Sequence, residues 1–338
     1  MPDFVLMGQS LLLAAIVAGL VLLVIARPGV DHPRWQLAVG WVGGLGAGIY
    51  AGCGLLGEWP RWPPLEDRDR FLVILLPLAL AVEGAAMLLP TRRWLAWLLR
   101  ICLATAAAPI LLHNSVYLKD LSGPGSAEWN RAEAVLVLLF SAVMLAGVWG
   151  LLAKLHARTS DRALSPVVIL VALACGITVM LCGYYRGGLL ALQIAGAIAG
   201  VTLASCALPK QPAENPCLGI GLIGIFTVVF IGRFYGSLPT SLAICLLLVP
   251  LLAWTGELPR IRNLPPAARA AIRIAAVLAA LALIVTCAQI RFNAAFSHRV
   301  AAARLKFQIS NPPLLPSVFD STPAIAMTQD SRIPAGAG

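Results

Sequence analysis

Charged residues are scarce in this chain: Asp, Glu, Lys and Arg together make up only 12% of its 338 residues, whereas apolar residues make up 59%. The mean hydropathy of +0.86 leaves too little polar surface to cover a water-soluble globule. The scarcity of charge therefore excludes a soluble domain and favours a chain whose side chains lie mostly in lipid.

Catalytic and ligand-binding motifs are also missing. The four histidines are scattered singly, without the His-x-x-x-His spacing or the nearby cysteines typical of a zinc site. Neither a phosphate-binding Gly-x-x-x-x-Gly-Lys sequence nor a Gly-x-Ser-x-Gly nucleophile elbow occurs. The eight cysteines lie in or beside apolar runs, in no arrangement typical of a disulfide framework. We therefore expect no enzymatic activity, no cofactor and no metal.

The apolar residues form ten long runs. They cover residues 7–26, 36–56, 71–90, 94–112, 132–153, 166–185, 188–208, 217–233, 238–256 and 270–290. Every backbone amide in a bilayer needs an internal hydrogen-bond partner, so each run of about twenty residues predicts a transmembrane helix. Prolines inside three runs, at positions 77, 109 and 250, predict kinks. The expected fold is an all-α, polytopic transmembrane helical bundle of about ten spans over residues 1–290.

Beyond the tenth run the pattern changes. In residues 291–310, apolar side chains fall on one helical face and basic side chains on the others, which predicts a short amphipathic helix lying along the membrane surface. Residues 311–338 are rich in Pro and Ser and poor in apolar residues. That composition predicts a disordered tail.

The net charge of +10 does not indicate a nucleic-acid-binding protein. The basic residues stand at the ends of apolar runs rather than in one stripe, which is typical of membrane-edge anchors facing anionic lipid. Arg outnumbers Lys by 21 to 4 and Ala is abundant, a composition typical of a GC-rich bacterial genome. We therefore expect a multi-pass protein of a bacterial inner membrane, with the lipid bilayer as its main partner.

Two opposite charges lie deep inside neighbouring runs. Glu83 and Arg100 each stand about eight and a half residues from the turn between Thr91 and Arg92, so both should lie roughly 13 Å below the same surface. A lone charge at that depth costs a few kcal/mol, so the spacing predicts an intramembrane ion pair. The pair acts either as a structural clamp or as a proton-carrying site. The clamp is the favoured interpretation because no second carboxylate or histidine accompanies it.

Glycine recurs every fourth residue in the second run, at Gly40, Gly44, Gly48 and Gly52. This spacing leaves one helical face without side-chain bulk, so another helix can approach it closely. We expect these glycines to pack within the bundle. Dimerisation and a solute path are the second and third interpretations.

Residues 165–210 and 215–260 resemble each other at an offset of 49–50, which indicates a duplicated two-helix hairpin. The two hairpin turns are Gly183-Tyr184-Tyr185-Arg186-Gly187 and Gly232-Arg233-Phe234-Tyr235-Gly236. An even number of helices separates the turns, so both should emerge at one membrane face. Their candidate contacts to an anionic headgroup or solute are Arg186, Arg233, Tyr184, Tyr185 and Tyr235. Ordinary interfacial anchoring explains the same residues more simply.

A run of alternating charge precedes the third apolar run. Asp67, Arg68, Asp69 and Arg70 follow a Pro-rich and Trp-rich segment, and we expect them to form a solvated surface loop. Contact with a partner protein is the alternative interpretation of this loop.

Two functional hypotheses lead, and a membrane-embedded enzyme ranks third because the sequence shows no nucleophile, metal cluster or acid pair. The first is a transporter-like or channel-like protein that moves a small solute through a bundle rich in small residues. The second is a noncatalytic membrane subunit or scaffold that binds lipid and other membrane proteins, including copies of itself. A carrier should contain a polar cavity near the middle of the membrane reached by Glu83, Gln193 or Thr178, whereas a scaffold should be dry and fully packed.

Overall fold

The protein is a helical bundle. A computed structural model describes residues 4–27, 33–89, 91–119, 129–159, 164–208 and 215–310. Within these residues, ten helices are long and apolar enough to cross a membrane, and no strand occurs. They are α1 (Phe4–Ile25), α2 (Arg34–Leu55), α3 (Asp67–Leu88), α4 (Arg93–Leu112), α5 (Arg131–Arg158), α6 (Leu164–Leu181), α7 (Tyr185–Ser205), α8 (Pro216–Phe234), α9 (Thr240–Glu257) and α10 (Pro266–Ser310). The expectation of an all-α bundle of about ten spans is confirmed.

Helix ends follow local chemistry. α5 begins with a capping box, in which the side chains of Asn130 and Glu133 each accept a hydrogen bond from the other residue's backbone N–H. α8 begins at Pro216, whose missing N–H costs nothing in the first turn, and Asn215 caps it by accepting from the N–H of Cys217.

Two of the three prolines inside spans coincide with a change of helix type. Phe71–Leu75 is wound as a π-helix, in which the N–H of Leu76 donates to the carbonyl of Phe71. The next donor in that pattern would be residue 77, but proline has no N–H. The hydroxyl of Tyr50, on α2, donates to the carbonyl of Leu72 instead. Around Pro250, α9 changes from an α-helix to a 3₁₀-helix at Val249.

α8 occupies the centre of the bundle. It is buried along almost its whole length and packs against α2 to α7 and α9, whereas α1, α5 and α10 leave most of their surface exposed to the surroundings. Tyr184, in the α6–α7 turn, contacts the start of α3, and Tyr117, in the α4–α5 connection, contacts the end of α8. We call the side of the bundle where the connections after α2, α4, α6 and α8 meet the even-loop face.

The four glycines of α2 face neighbouring helices at short distances. A Cβ at Gly44 would lie 2.7 Å from the carbonyl oxygen of Ala18 in α1, and one at Gly48 would lie 2.5 Å from that of Ala14. A Cβ at Gly40 would meet Leu22 of α1, and one at Gly52 would overlap the side chain of Gln193 in α7. The smooth face of α2 therefore holds α1 and α7 at close range.

The C-terminal part of the chain is helical as far as the structure describes it. The described helix Pro266–Ser310 includes residues 291–310, where the sequence predicts an amphipathic helix. The residues up to Phe292 form one compact unit, and the described residues from Asn293 to Ser310 lie outside it. Placement of residues 291–310 on the membrane surface stays a prediction, and the expected disordered tail, residues 311–338, lies outside the described residues.

The proposed duplication corresponds to two helical hairpins. Residues 165–210 contain α6 and α7, and residues 215–260 contain α8 and α9. The side chain of Asn215 donates to the hydroxyl of Ser165 over 3.2 Å, so the equivalent starting points of the two hairpins touch. The duplication itself stays a prediction, because α7 is α-helical throughout whereas α9 is not.

Candidate functional site

The structure brings Glu83 and Arg100 together inside the bundle. Arg100 Nε donates to Glu83 Oε1 and Arg100 Nη2 donates to Glu83 Oε2, each over 2.9 Å. Only 4% of the arginine and none of the glutamate is exposed. Both carboxylate oxygens therefore accept from a two-pronged guanidinium, the strongest geometry for such a pair.

Neighbouring helices enclose this ion pair. The guanidinium carbon of Arg100 lies 5.4 Å from the ring centroid of Trp97 and 5.8 Å from that of Trp149 on α5. On the other side, a Cβ at Gly219 of α8 would overlap the carboxylate of Glu83, so glycine there makes room for the acid. The pair is neutral and fully surrounded, which supports the clamp interpretation.

The structure corrects the sequence interpretation of residues 67–70, which form the first turn of α3. Asp67, Arg68, Asp69 and Arg70 were expected in a solvated loop, but they are helical and all are buried. Arg70 donates to the carbonyls of Leu111 and Leu65, over 3.0 and 2.6 Å, and Tyr184 donates to Asp67 Oδ2 over 2.6 Å. Groups distant in sequence, on α4 and in the α6–α7 turn, therefore supply hydrogen-bond partners for Arg70 and Asp67. The two aspartates also lie at the N-terminus of α3, where the helix dipole favours negative charge.

Tyr184 is the neutral hydrogen-bond donor in this network. Burial and the neighbouring Asp67 carboxylate both raise the pKa of its phenol above the ordinary value. The hydroxyl therefore keeps its proton and continues to donate to Asp67. Of the other predicted tyrosines, Tyr185 is exposed, and Tyr235 donates to the carbonyl of Leu111 over 3.3 Å.

The α6–α7 and α8–α9 turns meet at the even-loop face. The N–H of Ser237 donates to the carbonyl of Cys182 over 3.1 Å, and a Cβ at Gly236 would lie 3.1 Å from the Cβ of Tyr184. The two turns are therefore neighbours, but their arginines contact different groups. Arg186 pairs with Glu66 at 3.0 Å and with Glu58 at 3.6 Å.

Arg233 has no carboxylate partner in the described part of the chain. Its Nε donates to Thr240 Oγ1 over 2.7 Å, and its guanidinium carbon lies 5.5 Å from the ring centroid of Phe234. The structure therefore places the predicted pair of arginines in different surroundings: Arg186 pairs with two glutamates, and Arg233 pairs with no carboxylate of the described residues.

Arg233 lies at one end of a large apolar groove between α5, α8 and α9, which we call the lateral groove. Its volume is about 280 Å³, close to that of small-molecule sites. The floor is an aromatic ladder on α8, in which Phe226 and Phe230 lie 5.1 Å apart, and Phe230 and Phe234 lie 4.6 Å apart, between ring centroids. The small Ala243 of α9 leaves the space open.

The groove opens toward the lipid side of the bundle. Leu136 and Phe140 of α5 line its edge and are 68% and 50% exposed. Trp129 marks its end at the even-loop face, where its ring packs 5.3 Å from that of Phe234. The groove can thus be entered from within a bilayer. Sequence reasoning missed it, because the spacing of the three phenylalanines of α8 indicates one wall only, and the other walls come from α5 and α9.

A second, much smaller cavity reaches Gln193. It has room for roughly one water molecule, and its lining includes Arg68, Arg186 and Glu58. Gln193 is fully buried and donates to the hydroxyl of Ser10 over 3.0 Å. Its side-chain oxygen has no hydrogen-bond partner among the described residues.

The described residues contain no group of three His, Cys, Asp or Glu side chains that could hold a metal ion. Comparison with protein-family models, with curated proteins and with solved structures gives no match for this chain. The fold alone therefore defines the class: ten membrane-spanning helices make the chain a multi-pass integral membrane protein.

Proposed function

We propose that this chain is a noncatalytic membrane protein that takes an amphiphilic molecule from the bilayer into the lateral groove. This is the lipid-binding form of the second hypothesis from the sequence. The observation that carries it is the groove itself: about 280 Å³ of apolar, laterally open space with a cation at its even-loop end. The Arg-rich composition favours the bacterial inner membrane as its location.

The dimensions of the groove suit a hydrocarbon chain. Phe226 precedes Arg233 by seven residues, which places the two about 10 Å apart along α8. One leaflet of the hydrocarbon core is about 15 Å thick, so the groove extends over much of a leaflet. A chain entering it from lipid gains no hydrophobic free energy, because it leaves one apolar surrounding for another. Selectivity for one amphiphile over bulk lipid must therefore come from how well its chain fits the groove and from polar contacts of its headgroup near Arg233.

Transport of a small solute has weaker support. Both oxygens of Glu83 are occupied by Arg100, and Thr178 is fully buried. Among the described residues, Gln193 is the one that favours a carrier, because it lines a cavity near the even-loop face. That cavity has room for roughly one water molecule, so a carrier would have to open it before a solute could enter.

Filling the groove tests the proposal. Ala243→Trp places an indole in the open space, and Ser141→Phe fills it from α5. Ala279→Trp, at an exposed position on α10, is the matched control. Each purified protein is stripped of lipid in mild detergent, offered a phospholipid, and examined by native mass spectrometry for bound molecules.

We expect both groove variants to retain about fivefold less lipid than the wild type and the Ala279→Trp control. Their melting temperatures should be no lower than that of the wild type, which would show that they are folded. Equal retention in all four proteins would count against lipid binding. Solute transport would then be the hypothesis to pursue. A stoichiometric polypeptide that occupies the wild type but not the groove variants would indicate a scaffold for a partner helix.

A further inference from the structure

Resting on the proposed function, we infer that the amphiphile in the lateral groove carries an anionic headgroup and that Arg233 binds it. The headgroup chemistry is a phosphate or carboxylate joined to a hydrocarbon chain. The source is a lipid of the bilayer rather than a free anion, because the groove behind Arg233 is apolar and open to lipid.

The first argument is the charge of Arg233 at this position. Among the described residues that line the groove, Arg233 is the one that carries a charge. Its Nε–H is directed to Thr240, while its two terminal nitrogens contact no carboxylate among the described residues. A guanidinium presents these terminal N–H groups as a planar fork that matches phosphate or carboxylate oxygens. A neutral or cationic headgroup would leave that fork unsatisfied.

The second argument is that Arg233 is already oriented. Its bond to Thr240 connects the end of α8 with the start of α9, and the Phe234 ring lies beneath the guanidinium. A side chain held by two contacts loses less conformational entropy when it binds a ligand. The anchor also lies at membrane-interface level, beside Trp129.

Arg186 provides the contrast that makes the inference specific. It occupies the corresponding turn of the other hairpin, on the same face, but its charge is matched by Glu66 and Glu58. General attraction of anionic lipid to a basic surface would depend on both arginines. Recognition in the groove would depend on Arg233 alone.

The experiment compares the wild type with Arg233→Gln, Arg233→Lys and Arg186→Gln. Each delipidated protein is offered an equimolar mixture of phosphatidylglycerol and diacylglycerol, which lacks the phosphate, with identical acyl chains, and native mass spectrometry measures the ratio retained. We expect the wild type to favour phosphatidylglycerol about tenfold, since charge-assisted hydrogen bonds are the strong ones. Arg233→Gln should lower the ratio to about twofold or less, Arg233→Lys should keep part of it, and Arg186→Gln should leave it unchanged.

The remaining outcomes overturn the inference in distinguishable ways. Equal loss of preference in Arg186→Gln and Arg233→Gln would show a surface charge effect rather than a site. Complete competition by millimolar inorganic phosphate would show that a free anion is the ligand. If both lipids bind the wild type equally and Ala243→Trp displaces both, the headgroup inference fails while the proposed function stands. If neither lipid binds the wild type, the proposed function fails with it.

Discussion

The ion pair between Glu83 and Arg100 permits a quantitative test of what holds the bundle together. Glu83→Gln keeps the shape of the side chain but removes its charge, and Arg100→Met keeps much of the length of the arginine without its charge. Both groups are buried and linked by two hydrogen bonds, so either single substitution leaves one charge uncompensated. Removal of one partner from a buried pair costs about 3 to 5 kcal/mol.

The two single variants should not be equally damaged. The guanidinium of Arg100 stays protonated and charged in any protein environment, whereas the carboxyl of Glu83 can become neutral by binding a proton. Glu83→Gln should therefore lose more stability than Arg100→Met. The double variant removes both charges together, so it should recover most of the loss, with a coupling energy of about 2 kcal/mol or more.

The assay is reversible unfolding in mixed micelles with increasing SDS, followed by tryptophan fluorescence. Trp97 and Trp149 flank Arg100 and should report on this region. Arg93→Met, at an exposed position in the first turn of α4, is the control and should change stability by no more than about 0.5 kcal/mol. A double variant that unfolds as easily as the weaker single variant would refute the reasoning.

Two further substitutions test the packing of α2 on its neighbours. Gly48→Ala puts a methyl group against the backbone of α1 and should cost about 1 to 3 kcal/mol in the same assay, while Gly147→Ala, where a Cβ meets nothing, should be neutral or stabilising. A neutral Gly48→Ala would contradict the close approach. Tyr50→Phe removes the donor to the carbonyl of Leu72 and should cost about 1 to 3 kcal/mol, whereas Tyr185→Phe, at an exposed tyrosine, should cost nothing measurable. Equal stability of these two variants would show that the carbonyl finds another donor.

Features fixed by the bilayer were predictable from the sequence. Hydrocarbon thickness sets the length of an apolar run, so the span boundaries agree with the structure to within a few residues for most helices. The contact between Glu83 and Arg100 was predictable for a similar reason, because equal distance from a hairpin turn means equal depth. Both inferences need only local spacing and the cost of charge in lipid.

Features that depend on contacts between distant segments were not predictable. Asp67 and its neighbours have the composition of a solvated loop, and their burial depends on Tyr184, which is 117 residues away. The lateral groove depends on three helices meeting around a small residue, Ala243, which looks like any other alanine of the bundle. Periodicity along one helix cannot reveal such a space, because its walls come from different parts of the chain.

The pairing of charges connects the fold with the proposed site. Within the described residues, four arginines contact glutamates: Arg68 with Glu58, Arg100 with Glu83, Arg186 with Glu66 and Arg273 with Glu257. Arg233 belongs to none of these pairs, and its one described side-chain hydrogen bond goes to the neutral Thr240. A free anion would gain only one exposed contact there, whereas an anion with an acyl chain would also fill the groove. The same arrangement that stabilises the bundle therefore leaves one positive charge where an anionic lipid gains most from it.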